Sequence, residues 1–164
     1  MDINSLLIVS NFRTGSSYLG KHLAQRYSLN YYNEPLDLKF RKGSCVKLIP
    51  SDKVNYSKEE VIDFARHFDY IILLERHDKK SQAESLEAIQ GIPHSQLRWQ
   101  AGEYNYDRLK PYYDMIKDVD NKLKWISEKL NIDIISYEDL YESDAFDFKL
   151  DFNPNILDKL RVGN

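Results

Sequence analysis

The stretch Leu6-Leu7-Ile8-Val9-Ser10-Asn11-Phe12-Arg13-Thr14-Gly15-Ser16-Ser17 decides how this chain folds. Four apolar residues ending in a polar pair read as a strand buried on both faces, as in parallel sheets. Thr14-Gly15-Ser16 then opens a helix, because Leu19, Leu23, Ala24 and Tyr27 recur at helical spacing between Ser16 and Tyr27. Strand, glycine turn and helix make the first unit of an alternating α/β chain.

The alternation continues outward. Leu29 to Tyr32 reads as a second strand, ending at Asn33-Glu34-Pro35, and Val46 to Ile49 as a third, stopped by Pro50. Ser57-Lys58-Glu59-Glu60 has the form of a capping box ahead of an apolar face made by Val61, Ile62, Phe64, Ala65 and Phe68. Tyr70 to Leu74 is the most strand-like run, and Asp78 to Gln90 a helix with Asp78 as cap and Gly91 at its end. A loop holding Pro93 and Pro111 leads to a long helix from about Tyr112 to Leu130, and Ile132 to Ile135 forms the last strand. Strands alternating with helices imply right-handed crossovers and a three-layer α/β/α fold around a mainly parallel sheet.

Composition sets the outer limits. At 164 residues, with 42% hydrophobic and 13% aromatic residues but only 6 Gly and 5 Pro, residues 1–164 read as one soluble globular domain. No apolar run approaches the ~20 residues of a membrane span, and Met1-Asp2-Ile3-Asn4 lacks a basic start, so a cytoplasmic chain without membrane contact is expected. The single cysteine, Cys45, supports neither a disulfide nor a metal cage, and no metal is expected. A net charge of −3 argues against broad nucleic-acid binding. Any anionic ligand must then be caught by a local site.

Ligands of open α/β sheets bind beyond the carboxyl ends of the strands. After the first strand, Arg13, Thr14, Gly15, Ser16 and Ser17 bring a fixed cation, hydroxyls and the N–H groups of a helix start, which together can cradle a phosphate or sulfate. The bland alternative is a well-capped helix whose Ser and Thr merely satisfy those N–H groups. The Walker A pattern is not met: Gly15, Gly20 and Lys21 have its spacing, but His22 stands where a hydroxyl is required and Gly20-Lys21 falls within the helix.

Three segments, in order, resemble the sulfotransferase family. Arg13-Thr14-Gly15-Ser16-Ser17 is similar to its phosphosulfate-binding loop, with Phe12 in place of the usual proline. Arg76-His77-Asp78-Lys79-Lys80-Ser81-Gln82-Ala83-Glu84-Ser85-Leu86 is similar to the R-R-D-K-x-x-Q-A-x-S-L stretch of the bacterial trehalose sulfotransferase branch, with His77 replacing the second arginine. Ser136-Tyr137-Glu138-Asp139-Leu140 resembles a late strand end of the family whose role there is structural. The resemblance implies a compact sulfotransferase-type P-loop-like fold with 3′-phosphoadenosine 5′-phosphosulfate as co-substrate. Residues 13 to 17 would hold its 5′-phosphosulfate, with Arg13 also stabilising the leaving group, and Arg76 and Ser85 its 3′-phosphate. An ion pair of Arg76 with Asp78 or Glu75 is the competing reading, and whether His77 joins Arg76 is open.

Sulfuryl transfer also needs a base for the acceptor hydroxyl. Glu34, at the end of the second strand, resembles the glutamate given that role in carbohydrate sulfotransferases, which points to a carbohydrate hydroxyl as acceptor; partial burial would have to raise its basicity. A solvated strand-end carboxylate is the alternative. Of the histidines, His94 is the runner-up base, whereas His22, His67 and His77 have no catalytic context. His94, Arg98, Trp99, Tyr104, Tyr106, Tyr112 and Tyr113 form either an acceptor platform or aromatic packing over the sheet. Arg41, Lys42 and Lys47 could attract an anionic acceptor or the nucleotide, against the alternative of solvated charges between short strands, and neither role is assigned to them. Rival readings of the whole chain are a P-loop nucleotide kinase-like phosphotransferase and a non-catalytic nucleotide-binding module.

Overall fold

The fold was obtained as a computed structural model, which describes residues 3–90 and 106–141. Five strands, β1 (Ser5–Ser10), β2 (Asn30–Asn33), β3 (Ser44–Leu48), β4 (Tyr70–Glu75) and β5 (Ile134–Ser136), form one sheet in the order β2-β3-β1-β4-β5. Every pairing in it is parallel. The α/β expectation is met, and the mainly parallel sheet is wholly parallel. All residues of β1 and β3 are buried, which explains their nearly uninterrupted apolar runs.

Strand periodicity divides the core in two. Leu7, Val9, Val46, Leu48, Ile71 and Leu73 face the helices α2 (Lys58–Ala65), α3 (Lys79–Gln90) and α4 (Tyr106–Leu130). Leu6, Ile8, Cys45, Ile72 and Leu74 face α1 (Ser16–Arg26) and the short α5 (Tyr137–Leu140). Helices therefore cover both faces, giving the three layers expected from the sequence. Because β3 and β4 flank β1, the chain leaves β1 toward α1 on one face and leaves β4 toward α3 on the other. The crevice between these exits is the site such sheets offer to ligands.

Local chemistry accounts for most boundaries. Ser57 Oγ accepts from the Glu60 N–H at 3.1 Å and Glu60 Oε2 from the Ser57 N–H at 2.7 Å, completing the capping box of α2. Asp78 caps α3 by accepting from the Ser81 N–H at 3.0 Å, which holds its carboxyl below the usual range; Gly91 and Pro93 lie outside the described residues. Two expectations need correction. The long helix begins at Tyr106, with Pro111 inside it. One missing N–H near the helix start is outweighed by an apolar stripe through Leu109, Tyr112, Ile116 and Val119, all buried. The last strand is shifted to Ile134–Ser136, because the Ile132 N–H bonds back to Ser127 O and Ser136 already caps α5. Among the described residues no helix is long and apolar enough to cross a membrane.

Candidate functional site: a cationic cleft at the strand ends

The turn after β1 is held by side chains that reach it from far along the chain. Asn11, fully buried, donates from Nδ2 to Ile116 O (2.9 Å) and Asp120 Oδ1 (2.7 Å), while its Oδ1 accepts from the Phe12 N–H. Buried Gln82 donates to Phe12 O at 2.6 Å, and the Tyr141 hydroxyl to Gly15 O at 2.7 Å. Thr14 Oγ1 donates to Asn11 O at 3.0 Å, so its proton serves the turn. Gly15 is the N-cap of α1 at φ 71°, and no side chain caps the helix. The bland reading of the hydroxyls as caps therefore fails here. A Cβ on Gly15 would lie 2.6–2.8 Å from the Tyr141 ring, so glycine is required for both conformation and space.

Four non-glycine residues among those described have positive φ: Arg13 (54°), Ser28 (55°), Glu34 (47°) and Asn131 (53°). Ser28 and Asn131 follow helix C-termini, where that conformation is routine. Arg13 and Glu34 do not, and both line one cleft of about 750 Å³ at the carboxyl end of the sheet. Backbone strain of this kind gathers at binding sites because the surrounding fold must hold it.

Three residues proposed from separate motifs converge there. Arg13 Nε donates to Ser85 Oγ at 2.8 Å, and Arg76 Nη1 donates to the Arg13 carbonyl at 3.2 Å. The Arg76 guanidinium lies 4.2 Å from the centre of the Tyr137 ring, and its Nε is buried with no hydrogen-bond partner among the described residues. No carboxylate of the described residues forms an ion pair with Arg76, so the surface pair with Asp78 or Glu75 is not what holds it. His77 instead meets Glu75 Oε1 at 3.2 Å and stays outside the cleft lining. Glu138 accepts from the backbone N–H groups of His77 (2.9 Å) and Asp78 (3.0 Å). Burial works to raise its pKa, but these N–H donors prevail and hold the carboxyl below its ordinary range. The Tyr137-Glu138 segment thus backs Arg76 with a ring and fixes the turn that carries it.

On the other side of the cleft, Glu34 Oε2 accepts from Lys47 Nζ at 3.1 Å. The Lys47 side chain is 5% exposed and that of Glu34 42%. The solvated-charge alternative is overturned for Lys47, because β3 is flanked by β2 and β1 and its residues are buried. Desolvation pushes the Lys47 ammonium below its usual value against the opposing pull of Glu34, and nearby Arg13 adds to the depression. Ser16 is buried, and both Ser16 and Ser17 line the cleft. Among the described residues the cleft lining sets Arg13, Lys47 and Arg76 against Glu34 and Glu84, a positive excess that suits an anion.

The remaining candidates lie elsewhere. His22 is exposed on α1, and His67 packs beside Phe40 with ring centres 5.6 Å apart. Tyr112, on α4, is fully buried, so it is core and not platform; His94, Arg98, Trp99 and Tyr104 lie outside the described residues. Burial pushes the Cys45 thiol up to about 12, which keeps it protonated and unreactive near neutrality. Sequence reasoning leaves Lys47 unassigned and misses Asn11, Gln82 and Tyr141. A lysine inside Cys45-Val46-Lys47-Leu48-Ile49 was the one available signal, since a charge within a buried strand requires a partner.

In class, the chain is an α/β protein with a cleft lined by Arg13, Lys47 and Arg76 at the carboxyl end of a parallel sheet. No protein-family model matches the chain, and no curated protein matches it either.

Proposed function

We propose that the chain is a sulfotransferase using 3′-phosphoadenosine 5′-phosphosulfate, acting on a hydroxyl acceptor of carbohydrate type. The observation that carries this reading is the meeting of Arg13, Arg76 and Ser85 at the uncapped start of α1. These residues come from two of the three resembling segments, and the unpartnered Arg76 Nε leaves donor capacity for a phosphate. The residues present fit such a ligand at both of its anionic ends.

The bound nucleotide would supply an activated sulfuryl group. The chain's own parts then have distinct tasks. The start of α1, from Thr14 to Ser17, presents backbone N–H groups to the 5′ anion, and Arg13 offsets charge gathering on the leaving phosphate oxygen. Arg76, stiffened by Tyr137, and Ser85 engage the 3′-phosphate. Glu34 takes the acceptor proton as the acceptor oxygen bonds to sulfur and the bond from sulfur to the phosphate oxygen breaks. The phosphotransferase alternative finds no supporting observation, since Gly20 and Lys21 lie within α1 with Lys21 exposed.

Isothermal titration with 3′,5′-adenosine bisphosphate tests the reading. Binding is expected to weaken about ten-fold or more in each of Arg13→Ala and Arg76→Ala, the usual loss for a charged hydrogen bond. Absence of binding at millimolar ligand, or equal affinity in the variants, would overturn it.

A further inference from the structure

Lys47 is a cation with nowhere else to go. It sits opposite Ile8 on β1 in the sheet register, two residues from Cys45, and strand alternation turns all three toward α1. Cys45 Sγ lies 3.5 Å from Gly20 O, which places this row of side chains directly beneath α1. A buried ammonium needs an anionic partner. Among the described residues Lys47 has one carboxylate partner, Glu34, while nearby Arg13 adds like-charge repulsion.

The two partners differ in what separation would cost them. Glu34 is 42% exposed and can be hydrated where it stands; Lys47, at 5%, cannot. The Glu34 backbone is independently fixed, since its N–H donates to Lys47 O at 2.8 Å and its φ is 47°. A rotamer change alone would release the carboxylate and leave it at the cleft rim.

We infer that Lys47 is an additional anion-binding residue which exchanges Glu34 for an oxyanion of the bound ligand, freeing Glu34 as a base only when that ligand is present. This rests on the anion-cleft reading above and adds an order to it: ligand anion first, acceptor deprotonation second. Before the exchange, the Glu34 carboxylate is engaged by the ammonium and poorly placed to accept a proton. Afterwards the ammonium has a new partner under α1, and the carboxylate is free at the cleft rim.

Titration of 3′,5′-adenosine bisphosphate into four full-length proteins tests the exchange: wild type, Lys47→Met, Glu34→Gln, and the double variant. Lys47→Met is expected to weaken binding about ten- to hundred-fold. Glu34→Gln is expected to tighten it several-fold, because the competitor for Lys47 is gone, and to have no effect in the Lys47→Met background. A purely structural salt bridge would give no tightening. Glu34→Gln that weakens binding, leaves it unchanged, or shifts it equally in both backgrounds overturns the exchange. Should wild type fail to bind the nucleotide, the sulfotransferase reading falls, and inorganic pyrophosphate titrated against the same four proteins decides the exchange separately. Thermal melts identify a variant that fails to fold, in which case Lys47→Arg replaces Lys47→Met and is expected to retain most of the affinity.

Discussion

The starts of α1 and α2 solve the same problem in opposite ways. Each helix opens with N–H groups that have no partner within the helix. At α2, Ser57 and Glu60 close a reciprocal box, and Glu59 and Glu60 set negative charge against the helix dipole. At α1 there is no side-chain cap and no acid in the first turn, although the sequence there offers Thr14, Ser16 and Ser17. The Thr14 hydroxyl serves the turn, none of the three caps the helix, and cations gather where α2 has acids. One helix end is finished by its own side chains; the other has no side-chain cap, which is what the proposed anion would use.

That contrast can be broken in several ways. Gly15→Ala has the largest expected effect, since a left-handed Cβ would press on Tyr141: a loss of about 2–4 kcal/mol in denaturant unfolding. A loss below that range would mean Tyr141 gives way easily. Ser57→Ala should cost about 1 kcal/mol by the same measurement and leave 3′,5′-adenosine bisphosphate affinity untouched, because α2 has no ligand role. Ser17→Asp gives α1 the acid that α2 already has. It should raise stability by about 0.3–1 kcal/mol while weakening nucleotide binding, and unchanged affinity would show that the anion sits elsewhere. The smallest effect belongs to Glu138→Gln. Its folded carboxyl is held low, so Glu138 contributes stability above the ordinary carboxylate range and loses it as pH falls through the depressed value. The stability gap between wild type and Glu138→Gln should be full near neutrality and close in acid, read from urea unfolding over a pH series.

Much of the fold was legible because it follows from local rules. Leu6 to Val9, Tyr70 to Leu74 and the Ser57 box each declare their element within a few residues. Pro111 misled because a punctuation residue was weighed above the stripe that runs past it, and helix packing overrides propensity. At the site, Arg13, Arg76 and Ser85 were found from motifs, yet their mutual contacts depend on the sheet order. Lys47 stays undecided in the sequence between an anion-attracting and a solvated charge, because the position of β3 inside the sheet is not written in its own five residues. Asn11, Gln82 and Tyr141 act over separations of 70 to 126 residues, where no local pattern can connect donor to acceptor.

The central place of β1 also dictates a history for the molecule. Its two sheet partners start at Ser44 and Tyr70, so the first strand made during synthesis waits for both of its neighbours. Until residue 75 has emerged, one apolar edge of Leu6 to Val9 stays open to pairing with other chains. The turn at residues 11 to 15 waits longer still, because Ile116 and Tyr141 close it. Among the described elements the turn that follows the first strand is closed by the latest contacts, and a ribosome stalled before β4 would hold a sticky strand without its second neighbour.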